Sequence, residues 1–554
     1  MSSESVQTTP EDADPDPTAT PRAQRGVIGS GFRVVSLFTL LSRVMGLARD
    51  MLMAGLFGAG PLMDSFSVAF RVPNVFRRMF GEGALTTAFL PVFVREFDRS
   101  GTDAANRLTT AVFVTMSSVL FGIVLSAELL LMGTYYFLPV GSEGRTLIAL
   151  TAEMLPYAVL ICLVAQLSAV LHSLQRFAWP AFAPVLLNII WMVSASVVAL
   201  LTDDPDRRIH VIAWSILAAG VIQLVTIGIA TQKAGITFSP DWKEARPLVR
   251  EVVRAMMPVL FVTWITQVNT VVDGLIAWGL AAPPDYVPGR DEGFPWPLEA
   301  GTASALYFAQ RMYQFPQGVF AIALGTVLFP LMSKHAERGE FSQVGRDLTY
   351  GMRLVVAIGV PASVGLALLS EPIAVLFFER GAFTAEDASL TARCIAAYGI
   401  GVWAYMGLTI IHRGFFALGD RQRPLSMGIL AMALNTFLNL TLIWFLAATG
   451  LALSTAIAAM VQLFLTVAIY QRQNGLLDDR SIGATVIRTI AATALMGVAC
   501  LMSMSWLPGD ESLLSRVAAL VVPIVVSIAA YAVGAKLVGL REPFDLLGRR
   551  LSTE

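Results

Sequence analysis

Arginine side chains occur where the sequence otherwise suits a lipid environment. The apolar, glycine-rich stretch SRVMGLARDMLMAGLFGAGPLMDSFSVAFRVPNVFRRMFGEGAL (residues 42–85) contains Arg43, Arg49, Arg71, Arg77 and Arg78. Arg311 lies in a second apolar segment, residues 301–333. A charge near the centre of a bilayer is costly, so intramembrane arginines normally face a protein-lined or water-filled cavity. We therefore predict that these arginines line one cavity.

This cavity should attract an anion. The six arginines are accompanied by three acids, Asp50, Asp64 and Glu82, which leaves a surplus of about three positive charges. Guanidinium groups bind phosphate oxygens through two parallel hydrogen bonds. A phosphate or diphosphate group is therefore the predicted ligand.

Local ion pairs are the alternative for part of this set. Arg78 and Glu82 are four residues apart and Arg43 and Asp50 are seven apart, so each pair can form within one helix. Arg71 directly precedes the valine before a proline, near a predicted kink, and its side chain can instead reach toward a membrane interface. We favour the ion pair for Arg78, and we leave both possibilities open for Arg71.

Composition places the whole chain in a membrane. Of its 554 residues, 55% are hydrophobic and 14% are charged, whereas a soluble domain is about 25% charged. The net charge of −1, with no zinc-finger spacing and no GxxxxGK[ST] loop, indicates neither nucleic-acid binding nor a nucleotide site. The three cysteines and four histidines are scattered, so no disulfide framework, metal cluster or catalytic centre is indicated. The prediction is an all-α integral membrane protein that is not an enzyme.

Charged and Pro/Gly-rich breaks divide the chain into about fourteen apolar segments long enough to cross a membrane. They cover residues 32–58, 64–96, 107–138, 146–172, 180–201, 209–231, 250–281, 301–333, 347–370, 388–417, 424–446, 448–470, 484–506 and 512–538. Lys and Arg concentrate in the connections that lie inside if the N-terminus is inside. Because cytoplasmic connections are enriched in these residues, we place both termini in the cytoplasm.

A weak internal repeat predicts the domain organisation. LHSLQRFAWPAFAPVLLNII (171–190) and IHRGFFALGDRQRPLSMGIL (411–430) are about 240 residues apart, which indicates two parallel six-helix lobes, although short turns of similar composition are the alternative. The predicted divisions are a disordered cytoplasmic tail (1–29), an N-lobe (30–232), a cytoplasmic linker (233–249), a C-lobe (250–472), two C-terminal helices (473–540) and a cytoplasmic tail (541–554). In the eighth segment, Pro316 and Gly318 should interrupt the helix just beyond Arg311, as expected of a moving, site-forming helix.

Four motifs carry a resemblance to a known family. SRVMGLARD, FGAGPLMDSFSVAFRVPNVFRRMFGEGALTTAFLPVF, PAFAPVLLNI and QFPQGVFAIALGTVLFP closely resemble the MurJ (MviN) family of lipid II flippases, in the multidrug/oligosaccharidyl-lipid/polysaccharide exporter superfamily. The resemblance spans residues 30–540 and implies two lobes around a cationic cavity, with the last two helices forming a groove for a polyprenyl tail. It implies that lipid II, the undecaprenyl-diphosphate-linked peptidoglycan precursor, moves from the inner to the outer leaflet of the bacterial cytoplasmic membrane. Substrate-binding and motif positions of the family fall on Arg43, Arg49, Asp64, Arg77, Glu82 and Arg311.

The resemblance is incomplete at two places. Several family members have an acid directly before the arginine of helix 8, where this chain has Gln310. Some relatives bind sodium in the C-lobe, and the matching positions here are Asp273, Asn435, Asn439 and Thr455, with Asn439 in place of an acid. Sodium is thus the one cofactor suggested, and ordinary hydrogen bonds between helices are the alternative.

The predicted mechanism is alternating access. The arginines would coordinate the diphosphate in an inward-open cavity, and Asp64 and Glu82 would compete for them once the cargo has left. The implied partners are lipid II, membrane lipids and possible cell-wall synthesis proteins, with no nucleic acid. The rival functions are a cation-coupled drug or polysaccharide exporter of the same superfamily, a flippase for another undecaprenyl-linked glycan and a non-transporting membrane scaffold of wall synthesis.

Overall fold

The computed structural model describes residues 20–283, 286, 294–506 and 512–547. The N-half consists of α1 (Thr20–Phe57), α2 (Pro61–Phe76), a π-helical turn (Arg77–Ala84), α3 (Leu85–Phe137), α4 (Glu143–Met154), α5 (Tyr157–Ser173), α6 (Ala178–Leu201), α7 (Pro205–Lys233) and a 3-10 turn (Trp242–Ala245). The C-half consists of α8 (Arg246–Gly279), α9 (Thr302–Pro316), a π-helical turn (Gln317–Ala321), α10 (Ile322–Glu337), α11 (Phe341–Leu368), α12 (Ser370–Phe378), α13 (Ala385–Ile400), α14 (Val402–Ala417) and α15 (Gln422–Asn474). A C-terminal hairpin, α16 (Asp479–Ser505) with α17 (Leu513–Leu537), and the short α18 (Glu542–Leu547) complete the described chain.

The predicted all-α membrane fold is confirmed. In the described ranges, nine helices are long and apolar enough to cross a membrane, and the bent pair α13 and α14 raises the number to ten. Two helices, α3 and α15, have 53 residues each, a length of about 80 Å against a hydrocarbon core of about 30 Å. Gly101 in α3 and Ala447 in α15 have positive φ angles and interrupt these helices where the sequence divides them into two segments. The count of fourteen spans stays a prediction.

The first helix begins earlier than the predicted end of the N-terminal tail. Residues 20–29 were assigned to that tail, yet α1 starts at Thr20. The Thr20–Pro21 pair is a favourable helix start, because proline is well tolerated in the first turn. Residues 1–19 and 548–554 lie outside the described ranges.

The two halves share an apolar core that extends along the bundle and includes, at one end, side chains of both halves. This core contains Met53 and Phe66 of the N-half together with Phe308 and Phe378 of the C-half. We call this the Phe57 end, because α1 terminates there. A second core, which includes Leu348, lies within the C-half toward the opposite end, where α10 terminates at Glu337. The shared core holds the halves together at the Phe57 end.

The helix predicted to break beyond Arg311 instead continues through a π-helical turn, and Thr302–Glu337 forms one span. Helix α9 ends at Pro316, and the π-helical turn Gln317–Ala321 leads into α10. A proline lacks the backbone N–H and its ring collides with the carbonyl of the residue four positions earlier, so regular α-helical bonding stops at this point. Such π turns often occur at functional sites.

The C-terminal hairpin is fastened to the C-half at both ends. At one end, Arg516 of α17 forms an ion pair with Glu379, with Nη2 and Oε1 2.8 Å apart. At the other, Glu542 accepts hydrogen bonds from Arg353 Nε (2.9 Å) and Nη2 (2.5 Å) and from Thr485 Oγ1 (2.9 Å). Burial raises the pKa of Glu542, but a hydrogen bond from its own backbone N–H, the hydrogen bonds from Arg353 and Thr485 and the charge of Arg353 together outweigh burial, so the pKa lies below its ordinary value. The hairpin is therefore anchored by a charged carboxylate.

Candidate functional site

A charged cluster lies between α1 of the N-half and α9 of the C-half. Asp50 Oδ1 accepts hydrogen bonds from Arg49 Nε (3.0 Å) and Nη2 (2.7 Å). The other oxygen, Oδ2, lies 3.2 Å from Arg311 Nε. Tyr307 joins the groups, because its hydroxyl donates to Asp50 and accepts from Arg49 and Arg311. Asn188 of α6 accepts from Arg49 Nη1 at 3.1 Å. We call these five residues the arginine cluster.

The arginine cluster retains one positive charge, because a single carboxylate serves two guanidinium groups. The side chains of Asp50 and Arg49 are 1% and 7% exposed, whereas that of Arg311 is 28% exposed. Arg49 also stacks on Trp191, with its guanidinium carbon 4.2 Å from the ring centroid. Arg49 is thus enclosed by protein groups, and Arg311 is the member that an anion between the halves can reach.

Arg43 does not pair with Asp50, so the seven-residue spacing was a wrong guide to its partner. Both oxygens of Asp50 are already taken by Arg49 and Arg311. Arg43 instead crosses to the C-half, where its Nη1 donates to the backbone carbonyl of Gln314 at 3.4 Å. The structure therefore places Arg43 in a contact between the halves.

The remaining arginines of the opening stretch point into the protein. Arg71, 7% exposed, donates through Nη1 to the carbonyl of Thr270 at 2.7 Å, which excludes the interface position left open for it. Arg78 Nη1 donates to Gln267 Oε1 at 3.3 Å. The side chain of Glu82 lies outside the described residues, so its pairing with Arg78 and its substrate role stay predictions.

The structure gives hydrogen-bond partners for two further residues singled out in the sequence, Arg77 and Gln310. Arg77 begins the π-helical turn after α2, and its Nε donates to Asn74 Oδ1 at 3.0 Å. Gln310, which replaces the acid of some relatives, donates to the hydroxyl of Tyr398 at 3.1 Å. Both side chains take part in hydrogen bonds within the protein, and the binding role of Arg77 stays a prediction.

Asp64 caps a helix of the opposite half. Its Oδ2 accepts from the backbone N–H of Gly301 (2.7 Å), and its Oδ1 accepts from the backbone N–H and the hydroxyl of Ser304 (both 2.6 Å). A carboxylate that accepts from the first free N–H groups of a helix is strongly favoured, because it also meets the positive end of the helix dipole. Asp64 is therefore a contact between α2 and the start of α9, which is distinct from the arginine cluster.

Backbone contacts seal the halves beside Asp64. The N–H of Ala382 donates to the carbonyl of Gly55 at 2.8 Å, and the N–H of Ala59 donates to Asp387 Oδ2 at 3.3 Å. Gly301 is at φ +92, and a Cβ there would lie 2.2 Å from the carbonyl oxygen of Ala59. Only glycine fits this close approach, so the Phe57 end is closed by backbone groups in direct contact.

The halves also meet near the Glu337 end, on the side formed by α3 and α8. Arg95 of α3 and Glu251 of α8 form an exposed bidentate ion pair, with N–O distances of 2.9 and 2.8 Å. On the side formed by α1, α9 and α10, Arg43 spans the halves instead. The arginine cluster lies between this contact and the sealed Phe57 end.

The four residues proposed for sodium binding lie together. Asn439 Nδ2 donates to Asp273 Oδ1 at 2.6 Å. One amide orientation of Asn435 donates to Thr455 Oγ1 at 3.3 Å, and the swapped orientation donates to Asp273 Oδ1 at 2.9 Å. The Oδ1 atom of Asn439 is buried and has no hydrogen-bond partner in the described structure. The cluster thus offers a carboxylate and a spare amide oxygen, which are ligands that suit a hard cation.

Sequence reasoning missed how Asp50 and Tyr307 act. Spacing along the helix offers Asp50 as a partner for Arg43, whereas its contact with Arg311 spans too many residues for any spacing rule. Tyr307 could have been found, because it lies four residues before Arg311 on one helix, where side chains meet. Asn188 and Trp191 carry no local signal, because α6 brings them to Arg49 from a distant part of the chain.

The fold and the site together define a class of protein, the multi-pass α-helical membrane transporters with charges buried between two halves. An inward-facing multidrug resistance MATE family transporter of the MOP superfamily superimposes with a TM-score of 0.62 at 13% identity, over 78% of this chain and 94% of that one. A structure of lipid II flippase MurJ in an inward closed conformation superimposes with a TM-score of 0.72 at 22% identity, over 93% of this chain and 99% of that one. These likenesses show the fold.

Sequence comparison narrows the class to one family. The family model for lipid II flippase MurJ matches residues 53–520. The probable lipid II flippase MurJ of Rhizobium tropici is 32% identical over 521 residues, which is 92% of this chain and 94% of that protein. The corresponding protein of Vibrio cholerae is 30% identical over 486 residues, 85% of this chain and 88% of that protein. The chain belongs to the lipid II flippase MurJ family, as its motifs predict.

Proposed function

We propose that this chain moves lipid II from the inner to the outer leaflet of the bacterial cytoplasmic membrane by alternating access. The observation that carries the proposal is the arginine cluster between the halves, where Asp50 serves both Arg49 and Arg311 and leaves one positive charge. A diphosphate supplies the missing negative charge, and its oxygens match guanidinium geometry. A cationic drug has no such complementarity.

The proposed orientation places the Phe57 end at the outer face and both termini in the cytoplasm, because the connections at the Glu337 end carry most of the Lys and Arg. With the outer end sealed at Asp64, the headgroup enters from the cytoplasmic side. Arg311 and Arg43 then bind the diphosphate, with Arg49 held behind them. The polyprenyl tail stays in the bilayer along the hairpin of α16 and α17.

The membrane potential can drive this movement. An inside-negative potential supplies about 2.3 kcal/mol per charge per 100 mV and favours outward movement of an anion. The diphosphate of the proposed cargo is anionic, so the potential acts on it directly and can supply the driving force without a nucleotide. Lipid II is the partner proposed, and contacts with cell-wall synthesis proteins stay a prediction.

Removing the charge of Arg311 should abolish most of the transport. Arg311→Gln is expected to lower the initial rate by about ten- to a hundredfold, the equivalent of one or two charge-assisted hydrogen bonds to the diphosphate. Arg311→Lys should be intermediate, because it keeps the charge but loses the bidentate geometry. The measurement is the appearance of fluorescent lipid II in the outer leaflet of reconstituted vesicles.

The control for this experiment is Arg107→Gln, which alters an exposed ion pair with Glu244 and should leave transport unchanged. If the wild-type protein moves another undecaprenyl-diphosphate glycan but not lipid II, the assignment of lipid II as the cargo is rejected. Failure of the wild-type protein to move either lipid would favour a scaffold. A normal rate for Arg311→Gln would reject the role of the cluster.

We also infer that Asp273, Asn435, Asn439 and Thr455 hold a sodium ion. The support is the buried carboxylate of Asp273 and the buried, unpartnered Oδ1 of Asn439. The ion would supply a positive charge that neutralises Asp273 within the C-half. A ligand that binds only the folded state at 100 times its Kd stabilises it by about 2.7 kcal/mol.

Sodium should therefore raise the melting temperature of the purified protein relative to equal potassium. Asp273→Asn should remove the difference, whereas the exposed Asp206→Asn should retain it. Equal melting temperatures of the wild-type protein in the two salts would identify the cluster as a network of hydrogen bonds without an ion.

A further inference from the structure

Two glycines, one within the π-helical turn Gln317–Ala321 and one beyond it, each lie directly against the guanidinium group of an arginine. Gly318 lies within that turn and Gly325 lies seven residues later in α10. A Cβ on Gly318 would lie 2.2 and 2.4 Å from the Nη1 and Nη2 atoms of Arg43. A Cβ on Gly325 would lie 2.4 Å from the Nε and guanidinium carbon of Arg413. Neither guanidinium can keep its position if a side chain is added.

The two contacts differ in what they connect. Arg413 belongs to α14, so its contact with Gly325 lies within the C-half. Arg43 belongs to α1, so its contact with Gly318 joins the N-half to the C-half. The same arginine donates to the carbonyl of Gln314 at the end of α9. The contact at Gly318 therefore exists only while the halves are close together.

A guanidinium group is the flexible end of a long side chain. An added methyl group at residue 318 would displace it without forcing the backbone apart, and alanine is a better helix former than glycine. The expected result of Gly318→Ala is thus a folded protein with Arg43 moved away from its seat. This separates an effect on Arg43 from a general loss of structure.

We propose that Gly318 is a positioning residue, which seats the guanidinium of Arg43 against the π-helical turn and so latches the halves together on the side formed by α1, α9 and α10. When the halves separate at the Glu337 end, the latch opens and releases Arg43 toward the space between them. The release of Arg43 to a diphosphate rests on the proposed function. The latch itself does not, because it is a contact between protein groups.

The test measures the separation of the halves directly. Nitroxide labels are attached at Arg176→Cys, in the exposed turn between α5 and α6, and at Lys334→Cys, on the exposed face of α10. The three native cysteines, all buried, are replaced by alanine. Pulsed electron paramagnetic resonance then gives the distance distribution between the labels. Gly318→Ala should shift this distribution to longer distances.

Two glycine variants provide matched controls. Gly325→Ala displaces Arg413 without altering a contact between the halves, and Gly365→Ala adds a methyl group in α11 where no atom lies within 4 Å. Both should keep the wild-type distance distribution. Arg43→Ala should open the halves as Gly318→Ala does, and the double variant should open them no further, because the two residues act through one contact.

A wild-type distance distribution in Gly318→Ala would overturn the latch. So would an additional shift in the double variant, since Gly318 would then act without Arg43. If Gly318→Ala does not yield folded protein, Arg43→Ala tests the latch itself, and a wild-type distance distribution in that variant overturns it. If the distances shift as expected but wild-type protein does not move lipid II, the latch stands and the proposed function falls.

Discussion

Replacement of Asp50 by asparagine should destabilise the protein by about 3–5 kcal/mol, the cost of leaving a buried charge without its partner. Asparagine keeps the shape of the side chain but removes the charge that holds both Arg49 and Arg311. Most of this cost comes from Arg49, because its charged side chain is enclosed between α1, α6 and α9. The free energy of unfolding in mixed micelles, measured for the wild-type and variant proteins, gives the result.

The matched control is Glu251→Gln. It also neutralises one carboxylate in a close ion pair with an arginine, Arg95, but this pair is exposed to solvent. Water can replace the lost partner there, so the free energy of unfolding should change little. An Asp50→Asn variant no less stable than Glu251→Gln would show that burial of the charge is not what makes Asp50 important. Neutralising Arg49 as well, by Arg49→Gln, should recover part of the loss in Asp50→Asn.

Replacement of Asp64 by alanine should release the closed Phe57 end. The carboxylate accepts three hydrogen bonds from the first turn of α9, and one charge-assisted hydrogen bond contributes about 1.5–3 kcal/mol. The population of the opened state should therefore rise by at least about tenfold, which corresponds to 1.4 kcal/mol. A cysteine at the neighbouring buried position, Ser65→Cys, reports this opening through its rate of reaction with a membrane-impermeant maleimide.

Two further variants should give maleimide reaction rates that can be compared with the rate in Asp64→Ala. Ser304→Ala removes the hydroxyl donor but keeps both backbone donors, so the reaction rate should rise less than in Asp64→Ala. Asp64→Asn should be intermediate, because its amide oxygen can still accept from Ser304, whereas its NH2 group cannot accept from the N–H of Gly301. If the maleimide reaction is as slow in Asp64→Ala as in the protein with Asp64 intact, the contact does not hold the end closed.

The sequence was sufficient to identify the charged side chains whose burial in a membrane is energetically unfavourable. Arg43, Arg49 and Arg311 stand out because a charge in an apolar segment needs a protein or water environment. The change in helix bonding at Pro316 was equally predictable, because proline cannot continue regular α-helical bonding. In both cases the cause is local, so residue type and position along one helix are enough.

The partners of those groups were not predictable in the same way. Asp64 meets Gly301 across 237 positions of sequence, and Arg49 meets Tyr307 across 258. Helical periodicity describes neighbours three, four or seven residues apart and carries no information about such pairs. Spacing therefore suggests Asp50 as the partner of Arg43, whereas in the structure Asp50 of α1 forms an ion pair with Arg311 of α9.

The anchor at Glu542 bears on where an affinity tag can be attached. Truncation at residue 540 would remove the carboxylate that Arg353 and Thr485 bind, and would leave the guanidinium of Arg353 without its counter-charge. The last turns of the chain therefore belong to the folded body, although they follow the final long helix. A tag or fluorescent fusion joined beyond Leu547 preserves this anchor, whereas one that replaces residues 541–547 removes it and leaves the hairpin held by its remaining contacts, among them the ion pair of Arg516 with Glu379.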